Sequence, residues 1–182
     1  MVKKTSFQQG NAALDWVQTR YLSWTAWGLL IVLFALLQAM PHLAVAGARP
    51  LFLIPLVVGI ALFTGPIGGA AAGIAAGLLW DLYADHVYGF NGLVLMIIGC
   101  VVGLLIWLLL RNTWLTAWLL SVCAVLAQVL LEWIFCIAFA GEPDAWLILW
   151  HIMLPNVLYT VIISPLFYWL TRGVVRLLKR RV

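Results

Sequence analysis

The polar residues of this chain are few, and the gaps between them predict its elements. Apolar runs cover Tyr21–Met40, Leu51–Phe63, Pro66–Ala84, Phe90–Leu110, Trp114–Ala140 and Trp146–Leu170. Crossing a ~30 Å hydrocarbon core takes ~20 residues at 1.5 Å per residue, and all but one of these runs are that long. Leu51–Phe63 is shorter, and only Thr64 and Gly65 separate it from the next run. The pattern leaves it as a short tilted span or as one arm of a re-entrant hairpin.

Composition agrees with the pattern. Of 182 residues, 66% are hydrophobic and 9% are charged, which excludes a soluble domain and indicates an integral α-helical membrane protein. No polar stretch is long enough for a separate globular domain. The first apolar run is too long for a signal peptide and no small-residue cleavage site follows it, so it is expected to be retained as a span. The expected organisation is a cytoplasmic N-terminal segment at 1–20, a six-helix transmembrane domain at 21–171 and a basic cytoplasmic tail at 172–182.

Charge sets the orientation. With six crossings, Lys3, Lys4, Arg20, Arg111, Arg172, Arg176, Lys179, Arg180 and Arg181 share one side and Arg49 stands alone on the other. This positive-inside asymmetry places both termini in the cytoplasm. Asp81, Asp85, Glu142 and Asp144 then fall at the outer side. Trp24, Trp27, Trp114 and Trp169 are expected at the inner interface, and Trp80, Trp146 and Trp150 at the outer one. The net charge of +4 sits at the chain ends rather than on a patch suited to nucleic acid. Cys100, Cys123 and Cys136 form no CxxC pair and read as small buried hydrophobes. His86 and His151 lie in no HExxH spacing, no serine sits in GxSxG, and no phosphate-binding glycine loop is present. No catalytic, cofactor or metal site is expected, which leaves a non-enzymatic protein.

The residues that interrupt the apolar runs carry the remaining information. Gly65, Gly69, Gly73 and Gly77 recur every four residues. Gly69, Ala72, Gly73, Ala76 and Gly77 offer a smooth surface for docking a helix, either one of the chain's own or the single span of a partner. Each four-residue step advances about 40° beyond a full turn, so the groove slants and Asp81 is expected to point well away from Gly69. Asp81 is then an orienting or cavity-facing residue outside the docking contact, because a carboxylate near hydrocarbon is costly and needs a purpose. Ser121, Gln128 and Glu132 fall within about 40° of one another on a helix and should face protein. In the last span, Asn156, Tyr159, Thr160 and Ser164 recur at helical spacing beside Pro155 and Pro165. Each proline frees a carbonyl that nearby hydroxyls can satisfy. Gln38, Arg49, Asp81, Glu132 and Asn156 all map to the outer third. They form an expected outer polar cluster, either a cavity open to the outside or interhelical glue, with Arg49 paired to a carboxylate. The final TRGVVRLLKRRV is read as an anchor to anionic lipid or a docking site for a cytoplasmic partner.

Two segments bear a resemblance. GIAAGLLWDLYADHVYGFNGLVLMIIGCVVGLL resembles the central signature of the bacterial rod-shape-determining MreD family, with Gly77, Asp81, Gly89 and Asn91 at the motif positions. LPNVLYTVIISPLFYWLTRGVVRLLKRR resembles the last span of that family, with Pro155, Tyr159 and Pro165 matching. The resemblance implies a six-helix bundle similar to the substrate-binding subunits of energy-coupling-factor transporters. It implies a non-enzymatic scaffold or adaptor of the cell-wall elongation complex in the bacterial cytoplasmic membrane. The implied partners are an MreC-like membrane protein, MreB, RodA and a class B penicillin-binding protein, with no cofactor and no catalytic residue. The competing class is a substrate-binding membrane subunit of a vitamin-type transporter, whose ligand would lie in the outer polar cluster. Its coupling face would be Ala35 and Ala39.

Overall fold

The computed structural model describes residues 23–40, 50–84, 88–139 and 145–180. Every element among them is helical. Helix α1 is Ser23–Ala39, α2 is Leu53–Asp81, α3 is Phe90–Leu108, and α4 is Trp114–Glu132, continued by a π-helical turn at Trp133–Ala138. A short α5, Ala145–Ile148, runs through a second π-helical turn, Leu149–Met153, into α6, Leu154–Arg180.

The centre of the bundle is the first arm of α2. Every residue from Leu53 to Leu62 is buried, as expected of a helix that is apolar all round. Its first turn lacks a side-chain cap of its own, and its early N–H groups would be orphaned in an apolar interior. A neighbouring helix supplies one acceptor: Leu53 N–H donates to Gln38 Oε1 of α1 at 3.0 Å, and just ahead of the cap Leu51 N–H donates to Thr160 Oγ1 of α6 at 2.9 Å. Phe34, Phe52 and Phe167 close this junction, with ring centroids 4.9–6.0 Å apart. Thr171 of α6 presses on Gly59, where an added side-chain carbon would lie 2.8 Å from Thr171 Cγ2.

At Gly65 the helix breaks. Its φ of 78° and ψ of −170° suit glycine alone. Beyond it the chain folds back, since a side-chain carbon on Gly69 would sit 2.7 Å from Ala61 Cβ. In an unbroken helix residues eight apart are separated by ~12 Å. Pro66 frees the carbonyl of Leu62, and Asn112 Nδ2 donates to it at 3.1 Å. The apolar runs Leu51–Phe63 and Pro66–Ala84 are therefore the two arms of one element bent at Gly65. Among the described residues, four helices are long and apolar enough to cross a membrane: Leu53–Asp81, Phe90–Leu108, Trp114–Phe135 and Trp146–Leu178. The expected six crossings are not reached by this count, in which the two arms of α2 on either side of Gly65 enter as one helix and α1 is short of a full crossing over its described length.

The second proline junction follows the same rule. Pro165 frees the carbonyl of Val161, which accepts from Ser164 Oγ at 2.9 Å and from Trp118 Nε1 of α4 at 3.2 Å. The hydroxyl was expected; the indole brace from α4 was not. Thr113 caps α4 by accepting from Thr116 N–H. Two sets of positions depart from expectation. Trp27 and Trp80 are core residues at 3% and 7% exposure rather than interfacial ones. Cys100 and Cys123 lie on the surface rather than in the core, because they point from α3 and α4 away from the packed centre.

Candidate functional site

The second arm of α2 and α3 form an antiparallel pair in backbone contact. A side-chain carbon on Gly69 would strike the carbonyl of Gly99, one on Gly73 that of Leu95, and one on Gly77 that of Asn91. Gly103 lies equally close to the backbone of Gly65 and Pro66. Each step of four along α2 is thus matched by a step of four backwards along α3. The smooth surface of Gly69, Gly73 and Gly77 is filled by the chain's own next helix. Ala72 and Ala76 are buried beside it. The matching glycines Gly99 and Gly103 were not singled out from the sequence, although their own four-residue spacing carries the signal.

Asp81 completes this contact. Oδ2 accepts from Gly89 N–H at 2.9 Å and from Gly92 N–H at 3.2 Å, and Oδ1 accepts from Asn91 N–H at 3.2 Å. These donors belong to the orphaned first turn of α3, where a negative charge also meets the positive end of the helix dipole. Gly89 caps the helix with φ 93°, a left-handed conformation that suits glycine. The expectation that Asp81 points away from the docking contact is corrected: it binds the same helix that Gly69, Gly73 and Gly77 pack against. The 40° drift per rung is absorbed because α3 follows the slanted groove instead of running straight.

From this clasp a polar link reaches α4. Asn91 Oδ1 accepts from Gln128 Nε2 at 2.6 Å, and both residues are fully buried. Ser121, one end of the predicted stripe, is buried and donates to the carbonyl of Ala117. Glu132, at the other end, is half-buried, as is Asn156 on α6. Of the expected outer cluster, Gln38 serves the start of α2 and Asp81 the start of α3, so each is spent on a different helix end. Arg49 lies outside the described residues, and so does its expected pair with a carboxylate. Pro155 and Tyr159 are half-buried on α6. No group of acidic, histidine or cysteine side chains that could hold a metal occurs among the described residues.

Away from the clasp, α3 and α4 part. They are consecutive and antiparallel, yet α3 leans on α2 along its length and scarcely touches α4. Between them lies an apolar cleft of about 430 Å³, with Ile97, Val101 and Leu105 on one wall and Cys123, Ala127 and Leu131 on the other. It is a lateral concavity at the depth of the apolar helices.

The family description "rod shape-determining protein MreD" matches residues 18–172. The chain belongs to the MreD family. The motif positions of the resemblance, Gly77, Asp81, Gly89 and Asn91, are the residues that form the α2–α3 clasp. Membership makes the chain a cell-shape-determining bacterial membrane protein of a structural family, and it suggests association with the shape-determining complex and with the membrane. No curated protein and no solved structure matches the chain.

Proposed function

We propose that this chain is a non-enzymatic membrane scaffold of the cell-wall elongation complex, holding an MreC-like membrane protein beside MreB, RodA and a class B penicillin-binding protein. In this reading both termini are cytoplasmic and the chain crosses six times. The first arm of α2 is the short crossing, sheltered by protein on all sides from Leu53 to Leu62, within a body of the energy-coupling-factor substrate-subunit type. The outer polar residues act as interhelical glue rather than as a cavity. Gln38 and Asp81 support this, since each carries an acceptor used by a helix N-terminus.

The observation that carries the reading is the family match over most of the chain, joined to the geometry of the cleft. The polar connections are short and the body lies at membrane depth, so contact with partners falls to lateral surfaces. The glycine face is occupied internally. The α3–α4 cleft, with small residues on one wall, suits the close approach of a single transmembrane helix. No observation favours a solute-binding transport subunit, and Ala35, half of its expected coupling face, is buried.

Affinity capture of the tagged chain from bacterial membranes tests the reading. The expected result is recovery of an MreC-like protein and elongation-complex components, with rounding of cells when the chain is depleted. Capture of a transporter coupling subunit, with shape unchanged on depletion, would contradict it.

A further inference from the structure

Helix α6 has two sharply different faces. Thr160, Ser164, Phe167 and Thr171 are buried against the bundle, at 0–3% exposure. On the other side, Leu158, Ile162, Trp169, Arg172 and Arg176 fall within an arc of about 80° at 100° per residue. Leu158, Ile162 and Trp169 are 57%, 76% and 58% exposed. The exposed strip is ordered along the axis. It is apolar for two turns, then presents an indole, then two guanidinium groups, with ~10 Å from Ile162 to Trp169 and ~10 Å more to Arg176.

The first of the two arginines is held in place. Arg172 Nη1 lies 3.4 Å from Tyr168 Oη, and its guanidinium carbon is 5.8 Å from the centre of the Tyr168 ring. Tyr168 is itself buried and stacks on Phe63 of α2. A guanidinium fixed through its neighbour on a packed helix loses little freedom on taking a ligand. Arg176, one turn further, is exposed.

We infer that this strip binds one anionic phospholipid, with its acyl chain along Leu158 and Ile162, its glycerol and ester region at Trp169, and its phosphate between Arg172 and Arg176. The order of chemistry along the helix is that of the lipid itself: hydrocarbon, amphipathic zone, anion. Arginine recognises phosphate with several donors at once, and tryptophan favours the level between tail and headgroup. The inference uses the proposed orientation only to name the leaflet, the cytoplasmic one, whose anionic lipids attract basic residues beside a span.

The test is native mass spectrometry of the full chain in detergent, titrated with phosphatidylglycerol and with phosphatidylcholine of matched acyl chains. Because no bilayer is present, its outcome is independent of orientation and of the scaffold reading. Phosphatidylglycerol should bind in preference. Arg176→Gln should lower that preference about tenfold, the loss of one charge-assisted contact to the phosphate, and Arg176→Lys should restore most of it. Arg176 is exposed, so its replacement leaves the packed body intact. Trp169→Leu should weaken both lipids alike. Equal binding of the two lipids, or a preference that survives the combined Arg172→Gln and Arg176→Gln changes, would overturn the inference. So would full competition by inorganic phosphate, which would reduce the strip to a simple anion site.

Discussion

At the scale of single residues, Asp81 explains most about this fold. Its buried carboxylate satisfies three backbone donors of α3 at once. Bonds to a charged acceptor are worth about 1.5–3 kcal/mol each at most, with partial loss when the charge alone is removed. Asp81→Asn is therefore expected to destabilise the chain by about 2 kcal/mol, read as a lowered midpoint of denaturation in detergent, and Asp81→Leu by more. Tyr83, just beyond, is 39% exposed as a whole, and the hydration its neighbours displace pushes its phenol up to about 12. Its neutral form is favoured in the folded state, so its contribution is complete below the ordinary tyrosine value of about 10. That contribution declines as pH rises from there through about 12. A spectroscopic titration of native protein against Tyr83→Phe should show one phenol ionising late, and Tyr83→Phe should lose less stability on going alkaline. The sequence showed that Asp81 needed a purpose and that Gln128 faced protein. It did not show that Asp81 would serve backbone donors up to eleven residues ahead, or that Gln128 would meet Asn91 thirty-seven residues away. Helical periodicity gives the direction of a side chain, but not what the neighbouring element brings to meet it.

At the scale of elements, the paired four-residue steps of α2 and α3 decide the architecture. Glycine at Gly69, Gly73 and Gly77 lets backbone touch backbone, and such close packing is how helices associate where lipid removes most of the hydrophobic drive. Gly73→Ala should force α3 away and cost about 1–3 kcal/mol, with Gly73→Leu costing more. Gly173, which has open space where its side chain would be, is the control: Gly173→Ala should be neutral or stabilising by up to about 1 kcal/mol, since alanine is the better helix former. Parallel denaturation of the two alanine variants separates a packing glycine from a tolerated one. The glycine ladder was plain in the sequence because its period is regular and its residue type unambiguous. Its occupant was not, because a smooth face suits an internal helix and a partner helix equally well. The break between the apolar runs at Gly65 was legible from the Thr64-Gly65 gap that separates them. The return of the second arm was expected from that gap, but the burial of the whole first arm, Leu53–Leu62, at the centre of the bundle was not, since it depends on the other helices closing around it.

At the scale of the whole molecule, the chain is an apolar body with its polar groups turned inward to hold helix ends together. The family match places it in bacterial shape determination, and its form suggests how it contributes. The composition alone gave the membrane class, and the two motif segments gave the family. The lateral cleft could not be read from the sequence, because it arises where consecutive helices fail to pack, and local pattern carries no record of an absent contact.

The proposed role requires that a partner helix lie in that cleft. A photo-cross-linking side chain placed at Ala127, on the cleft wall, tests this directly in living cells, with the same group at Ile162 on the lipid-facing side of α6 for comparison. The account predicts a covalent adduct with the transmembrane segment of an MreC-like protein from position 127 and none from position 162. Capture of only lipid from position 127, while the partner is captured from position 162, would contradict it.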